Sequence, residues 1–202
     1  MLKIYGTSMS RAARTLWAAE ELGLQYEHTP ISFDGATRKP EYLKINPNGH
    51  VPAIDDDGFI MWESMAINLY LAEKNGKAPF WPSNVQGHGD AYKWSFFGMT
   101  ECEPHLLTML MHKMFLPAEQ RSEAAVKGAI EAMKAPYGVL EGQLKGREYL
   151  LGRDFTIADL NLASVLSLGL MVQYDNSATP TAAAWLGRCM SRPSFQRASQ
   201  KK

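Results

Sequence analysis

Two stretches carry the residue types and spacings that could do chemistry: Asn46-Pro47-Asn48-Gly49-His50-Val51-Pro52-Ala53-Ile54 and Trp62-Glu63-Ser64-Met65-Ala66-Ile67. Asn-Pro and Asn-Gly both favour tight turns, so the chain should reverse immediately before Val51. Val51 to Ile54 reads as a strand with a proline inside it. Proline cannot donate to a sheet ladder, so Pro52 marks an edge, a bulge or an exposed backbone. A cis Val51–Pro52 bond would turn the Val51 N–H and C=O outward as a clamp for an extended peptide. Ser64 stands where a helix N-cap belongs, ahead of the apolar positions Ile67, Tyr70 and Leu71. The free N–H groups and partial positive charge of such a helix end suit a carboxylate. A third cluster, Tyr5, Thr7, Ser8 and Ser10, places four hydroxyls just ahead of another helical stretch, with Arg14 four residues beyond Ser10.

The pattern Asn-Pro-x-Gly-x-Val-Pro-Ala followed by Glu-Ser-x-Ala-Ile resembles the glutathione site of the cytosolic glutathione S-transferases. The resemblance implies that Val51, beside Pro52, pairs with the cysteinyl backbone of glutathione. It also implies that Glu63 and Ser64 hold the γ-glutamyl ammonium and carboxylate. His50 and Lys39 are candidates for the glycyl carboxylate, as basic or polar residues of this region are in relatives. Met65 stands where the commoner family segment Glu-Ser-Arg-Ala-Ile has an arginine, which leaves the class open.

The family's chemistry is to turn the glutathione thiol into a thiolate that attacks an electrophile. A free thiol of pKa ~8.5 is a few per cent ionised at neutral pH. Lowering that by about two units takes roughly 2.7 kcal/mol of preferential thiolate stabilisation. One hydrogen bond to a charged group supplies about 1.5–3 kcal/mol, so a hydroxyl at the start of the first helix suffices without a metal. The Ser-x-x-x-Arg spacing of Ser10 and Arg14 resembles the serine-type classes (phi, delta and theta). Ser10 is the first candidate for the thiol's donor, Ser8 the second, and Tyr5, near the position used by tyrosine-type classes, the third. A plain N-cap competes for the Ser10 hydroxyl, and arginines on a first turn, such as Arg11 and Arg14, are usually solvated. No cysteine stands where the omega, beta or glutaredoxin types place theirs, which disfavours a mixed disulfide through the protein's own thiol. The resemblance implies a transferase acting on hydrophobic electrophiles, with two alternatives. One is a glutathione-dependent disulfide or peroxide reductase or an isomerase; the other is a non-catalytic interaction protein of the same fold. Thr7-Ser8-Met9-Ser10 lacks the Ser-Ser-Cys of the zeta isomerases.

The elements that must position these residues follow from periodicity. Leu2 to Gly6 alternates as a strand, Arg11 to Leu22 has helical spacing, and Gln25 to Ile31 reads as a second strand. Phe33 to Lys44 is irregular with a short helix. Phe59 to Trp62 pairs antiparallel with Val51 to Ile54 through the turn Asp55-Asp56-Asp57-Gly58. This βαβ-ββα order places a mixed sheet with helices on its faces, an α/β thioredoxin-like domain over residues 1–76. The Pro- and Gly-bearing stretch 77–84 is a linker. An all-helical bundle follows over 85–202, with helices near 87–113, 118–144, 156–172 and 181–191. Thr156 and Asp159 form a variant capping box with Phe155 and Leu160 as its hydrophobic staple. Arg192-Pro193-Ser194-Phe195 resembles the family's usual ending. The electrophile pocket is expected along the first long helix, from Trp94, Phe97 and Met109.

Lys plus Arg and Asp plus Glu both number 21, a balance that argues against a nucleic-acid or anionic-membrane binder. Cys102 and Cys189 lie far apart and outside any Cys-x-x-Cys, so neither a disulfide scaffold nor a zinc site is expected. His105, His112 and Glu101 share a helical face, but no metal is expected there. With no basic-apolar leader and no run of ~20 apolar residues, a cytoplasmic protein is expected. The resemblance implies a homodimer, with glutathione and a small hydrophobic electrophile as its partners.

Overall fold

The structure is a computed structural model and describes residues 1–32 and 34–201. Phe33, where the irregular stretch was expected to begin, and the terminal Lys202 lie outside the described residues. The chain divides into two compact units, Met1–Ser83 with Ser191–Lys202, and Asn84–Met190. The first unit's main segment ends at Ser83, and the tail, expected in the helical domain, groups with it.

In the first unit, β1 (Leu2–Tyr5), β2 (Tyr26–Thr29), β3 (Ala53–Asp56) and β4 (Phe59–Trp62) form one sheet in the order β2-β1-β3-β4. β1 and β2 run parallel, joined by helix α1 (Ala12–Glu21), and β3 pairs antiparallel with both β1 and β4. The hairpin turn needs only Asp57 and Gly58, at φ 52° and 93°, the left-handed pair that suits the twist of flanking strands. A short helix α2 (Pro40–Leu43) precedes the Asn46 turn, and α3 (Ser64–Asn75) follows β4.

The tail explains its own grouping. Helix α9 (Pro193–Ser199) packs on α1: the Trp17 indole N–H donates to the Ser194 hydroxyl at 3.1 Å, and the Trp17 and Phe195 rings meet edge to face at 5.0 Å. Arg192 and Ser194 bond Glu21, and Arg197 bonds Glu20 at 2.7 Å. With α3 also packed on it, α1 is buried on more than one face, which a single apolar stripe does not signal.

In the second unit, the first long helical path is α4 (Val85–Phe97), a π-turn over Gly98–Cys102, α5 (Glu103–Leu110) and a second π-turn over Met111–Phe115. One continuous helix over about 87–113 was expected. Pro104 has no N–H for the preceding turn, and the wide turn just ahead of it absorbs the break. Next come α6 (Glu123–Leu144), α7 (Ile157–Met171) and α8 (Pro180–Met190). Helix α7 is central and buried over most of its length, from Ile157 through Leu166. The capping box forms as expected, with Thr156 as the N-cap and Asp159 three residues on. No described helix is long and apolar enough to cross a membrane.

Candidate functional site

The turn that presents Val51 is built by Asn46, a buried side chain. Its amide donates to the His50 carbonyl at 2.7 Å, while its side-chain oxygen accepts the Asn48 N–H at 3.0 Å. The Tyr42 hydroxyl donates to the same His50 carbonyl at 2.7 Å. Burial pushes the Tyr42 phenol up to about 12, with Tyr5 adding to the shift, so it stays a donor. Two donors on one carbonyl fix the peptide leading into Val51. The Val51–Pro52 bond is cis, and the sheet register begins at Ala53, leaving Val51 beyond the ladder. The expected strand thus starts two residues later, and the clamp lies outside it. The Asn46-Pro47 turn was read from sequence, whereas Tyr42 was not singled out.

At α3 the expected cap is displaced by one residue. Glu63 is the N-cap, at φ 78° and ψ 109°, and Ser64 is the first helical residue. The first i to i−4 bond runs from the Ile67 N–H to the Glu63 carbonyl at 2.9 Å, so the N–H groups of Ser64, Met65 and Ala66 have no carbonyl of their own helix to meet. Glu63 is exposed and Ser64 is buried. Behind Ser64 stands Arg14, only 3% exposed, whose Nη1 points at the Ser64 hydroxyl at 3.4 Å. Asn68 of α3 donates to the Arg14 carbonyl at 3.3 Å. Of the two first-turn arginines, Arg11 is exposed and Arg14 is buried. A guanidinium held under a helix N-terminus adds full positive charge where a carboxylate would dock.

The hydroxyls of the β1–α1 loop are each occupied differently. Ser10 donates to the Thr7 carbonyl at 2.7 Å, and its hydroxyl accepts the N–H of Ala12, the first residue of α1, at 3.1 Å, one residue ahead of the N-cap Arg11. Ser8 donates to the Lys201 carbonyl of the tail. Thr7 Oγ1 is buried without a partner. Tyr5 packs edge to face on Tyr42 at 6.4 Å, and burial, followed by the charge of Asp55, raises its phenol above the ordinary value. Gly6 brings this loop against the Val51 turn: a Cβ built there would lie 2.6 Å from Ala12 Cβ and 2.9 Å from Val51 Cβ. Gly6 and Arg14 thus tie the loop, the Val51 turn and the α3 terminus into one site. Lys39 and His50 are exposed at its margin.

The sequence matches two family models, glutathione S-transferase N-terminal domain over residues 1–73 and C-terminal domain over residues 98–193. Glutathione S-transferase 1 of Zea mays is 32% identical over 202 residues, covering 97% of this chain and 94% of the relative.

The chain belongs to the glutathione S-transferase family.

Glutathione S-transferase D7 of Drosophila melanogaster is 29% identical, covering 92% of this chain and 82% of the relative. The theta class glutathione S-transferase of Xanthomonas axonopodis pv. citri, solved with glutathione bound, superposes with a TM-score of 0.90 at 25% identity, covering 100% and 98% of the two chains.

In the helical unit of this family member, Trp94 and Phe97 meet edge to face at 5.3 Å. Trp94 is 4% exposed and Phe97 half-buried, so these two remain candidates for an apolar wall. Met109 is a correction: it has no exposed surface and packs the core of the unit, because its place on α5 faces inward. The His112 Nδ1 accepts the Ser122 N–H at 3.1 Å, and no cluster of three potential metal ligands occurs among the described residues. Both cysteines are buried, and burial pushes the Cys102 thiol up to about 12.

Proposed function

We propose that this chain binds glutathione and joins its thiol sulfur to the electrophilic carbon of a second substrate. The observation that carries the reading is the α3 terminus, where Ser64 and its bare N–H groups are backed by the buried Arg14. Val51 beyond the sheet ladder supports a clamp for the cysteinyl backbone, and Glu63 a partner for the γ-glutamyl ammonium. Family membership and the glutathione-bound relative support the same assignment. In the reaction, the thiol proton leaves for solvent and the thiolate sulfur forms a bond to the electrophile's carbon. The carbon–leaving-group bond breaks, and the leaving group departs with its electron pair.

Ser10 is the proposed donor to the thiolate. Rotating its hydroxyl from the Thr7 carbonyl gives up about 1 kcal/mol, against about 1.5–3 kcal/mol for a bond to a charged acceptor. Ser8 is committed to the tail and Tyr5 to ring packing, which ranks both behind Ser10. The buried, weakly acidic Cys102 argues against a mixed-disulfide route. An ultraviolet titration of bound glutathione tests the reading. A thiolate band is expected well below pH 8.5 and should shift upward by about one unit or more in Ser10→Ala. A band that survives unchanged moves the role to Ser8 or Tyr5, and absence of glutathione binding favours the non-catalytic reading.

We further infer a homodimer in the cytoplasm. Edge strand β4 exposes Phe59 at 52% and Trp62 at 37%, an apolar sheet edge that a second copy would cover. Light scattering should give twice the chain mass; a single-chain mass would remove this inference.

A further inference from the structure

We propose that His28 is a positioning residue for the thiol-binding loop, its ring N–H holding the Gly6 peptide from which Thr7 to Ser10 departs. The proposal rests on the glutathione reading above and extends it to a residue on the far side of the loop.

The loop between β1 and α1 has little regular structure, and its geometry is set at Gly6. There φ is +124°, a region open to glycine, and Ala12 and Val51 fill the space where a Cβ would stand. Both peptide groups of Gly6 are tied to β2. Its N–H donates to the Thr29 carbonyl at 2.9 Å, and its carbonyl lies 2.7 Å from His28 Nε2. A carbonyl can only accept, so Nε2 carries the proton and the imidazole is the donor. The side chain is half-buried, which limits competition from water.

From Gly6 the constraint passes along a short path. The Gly6 carbonyl belongs to the Gly6–Thr7 peptide, so its direction sets where Thr7 begins. The Thr7 carbonyl in turn accepts both the Ser10 N–H at 3.1 Å and the Ser10 hydroxyl at 2.7 Å. Without the imidazole, only the backbone bond to Thr29 would restrain a glycine peptide of wide conformational freedom. The Ser10 hydroxyl would then lose its place relative to Val51, and small misplacements of a reacting partner are costly.

The test uses the whole chain with His28→Phe, His28→Asn and His28→Gln, read by thiolate titration of bound glutathione and by conjugation to a chlorodinitrobenzene. Phe keeps a ring without the donor. Gln places an amide nitrogen near the Nε2 position, and Asn is too short to reach Gly6. In His28→Phe the thiolate pKa should rise by about half to one unit, and kcat/KM should fall about tenfold. The KM for glutathione should stay within about threefold, because Val51 and Ser64 are untouched, and Gln should recover most of the loss. If the Phe variant does not fold, the Asn variant carries the same expectation. A merely structural histidine would lower thermal stability without moving the thiolate pKa of the folded protein. An unchanged thiolate pKa in Phe and Asn, or Gln no better than Phe, overturns the proposal while leaving the glutathione reading intact. A wild-type protein with no low-pKa thiolate overturns both.

Discussion

Glu63→Gly is expected to move stability and ligand binding in opposite directions. Glu63 holds φ 78° and ψ 109°, a conformation that costs a residue with a Cβ about 1–2 kcal/mol. Glycine adopts it freely, though its greater freedom in the unfolded chain takes back about 0.5–1 kcal/mol. The net effect should be a sheet unit as stable as the wild type or more stable by up to about 1 kcal/mol. The same substitution removes the carboxylate assigned to the ligand's ammonium. For a partly exposed charge-assisted bond that should weaken glutathione binding about tenfold or more. Thermal melting and calorimetric titration, side by side, read the two effects. Glu63→Ala separates them, since it loses the carboxylate while keeping the strain, and should bind as poorly as the glycine variant but melt lower. Binding unchanged in both variants would remove Glu63 from the site, and a glycine variant that melts well below the wild type would mean that the backbone there is not strained.

The strain at Glu63 also shows why the sequence placed this site within one residue and no better. Ser64 looked like a cap because serine caps helices, and local chemistry carries no sign that the preceding glutamate would take φ above zero. The Asn46 turn, the β3–β4 hairpin and the Thr156–Asp159 box were legible because their bonds close within a few residues. What stayed hidden depends on distant partners. Arg14 is charged and sits on a first turn, so its burial follows only once α3 and α9 cover α1. The seven residues of α9 carry too short a pattern to read as a helix, and their attachment to Glu20, Glu21 and Trp17 spans most of the chain. His28 lies in a strand, where nothing local says that its ring will meet the Gly6 carbonyl. Met109 was placed in a pocket because an apolar helix does not reveal which of its faces is core; the structure turns it wholly inward. Family resemblance suggested the proposed roles of Val51, Glu63 and Ser64, whereas the buried cation behind them emerged only from packing.

The largest loss of stability is expected from Asp159→Ala. Asp159 has no exposed surface and accepts from four donors. The Leu150 N–H at 2.8 Å and the Trp185 indole N–H at 2.9 Å meet one carboxylate oxygen; the Thr156 N–H and hydroxyl, both at 2.9 Å, meet the other. Burial pushes this carboxyl up from its ordinary value, and the four donors oppose that push. Alanine would strand two backbone N–H groups and an indole N–H in the interior; only the threonine hydroxyl can turn elsewhere. Each stranded donor costs about 1–3 kcal/mol, and losing the cap of α7 adds about 0.5–2 kcal/mol. Even at the low end of each range the total reaches about 3.5 kcal/mol, a large share of the roughly 5–15 kcal/mol typical of a folded domain. Urea unfolding followed by tryptophan fluorescence should show this as a midpoint shift at unchanged slope. Thr156→Ala keeps the carboxylate and the three N–H donors paired, so it should lose only about 1 kcal/mol. Four polar hydrogens converge on Asp159 from the loop before α7, the start of α7 and the α8 indole, so its carboxylate joins three segments of the helical unit rather than capping one helix. If Asp159→Ala instead costs no more than Thr156→Ala, water must reach those donors, and the box would serve α7 alone.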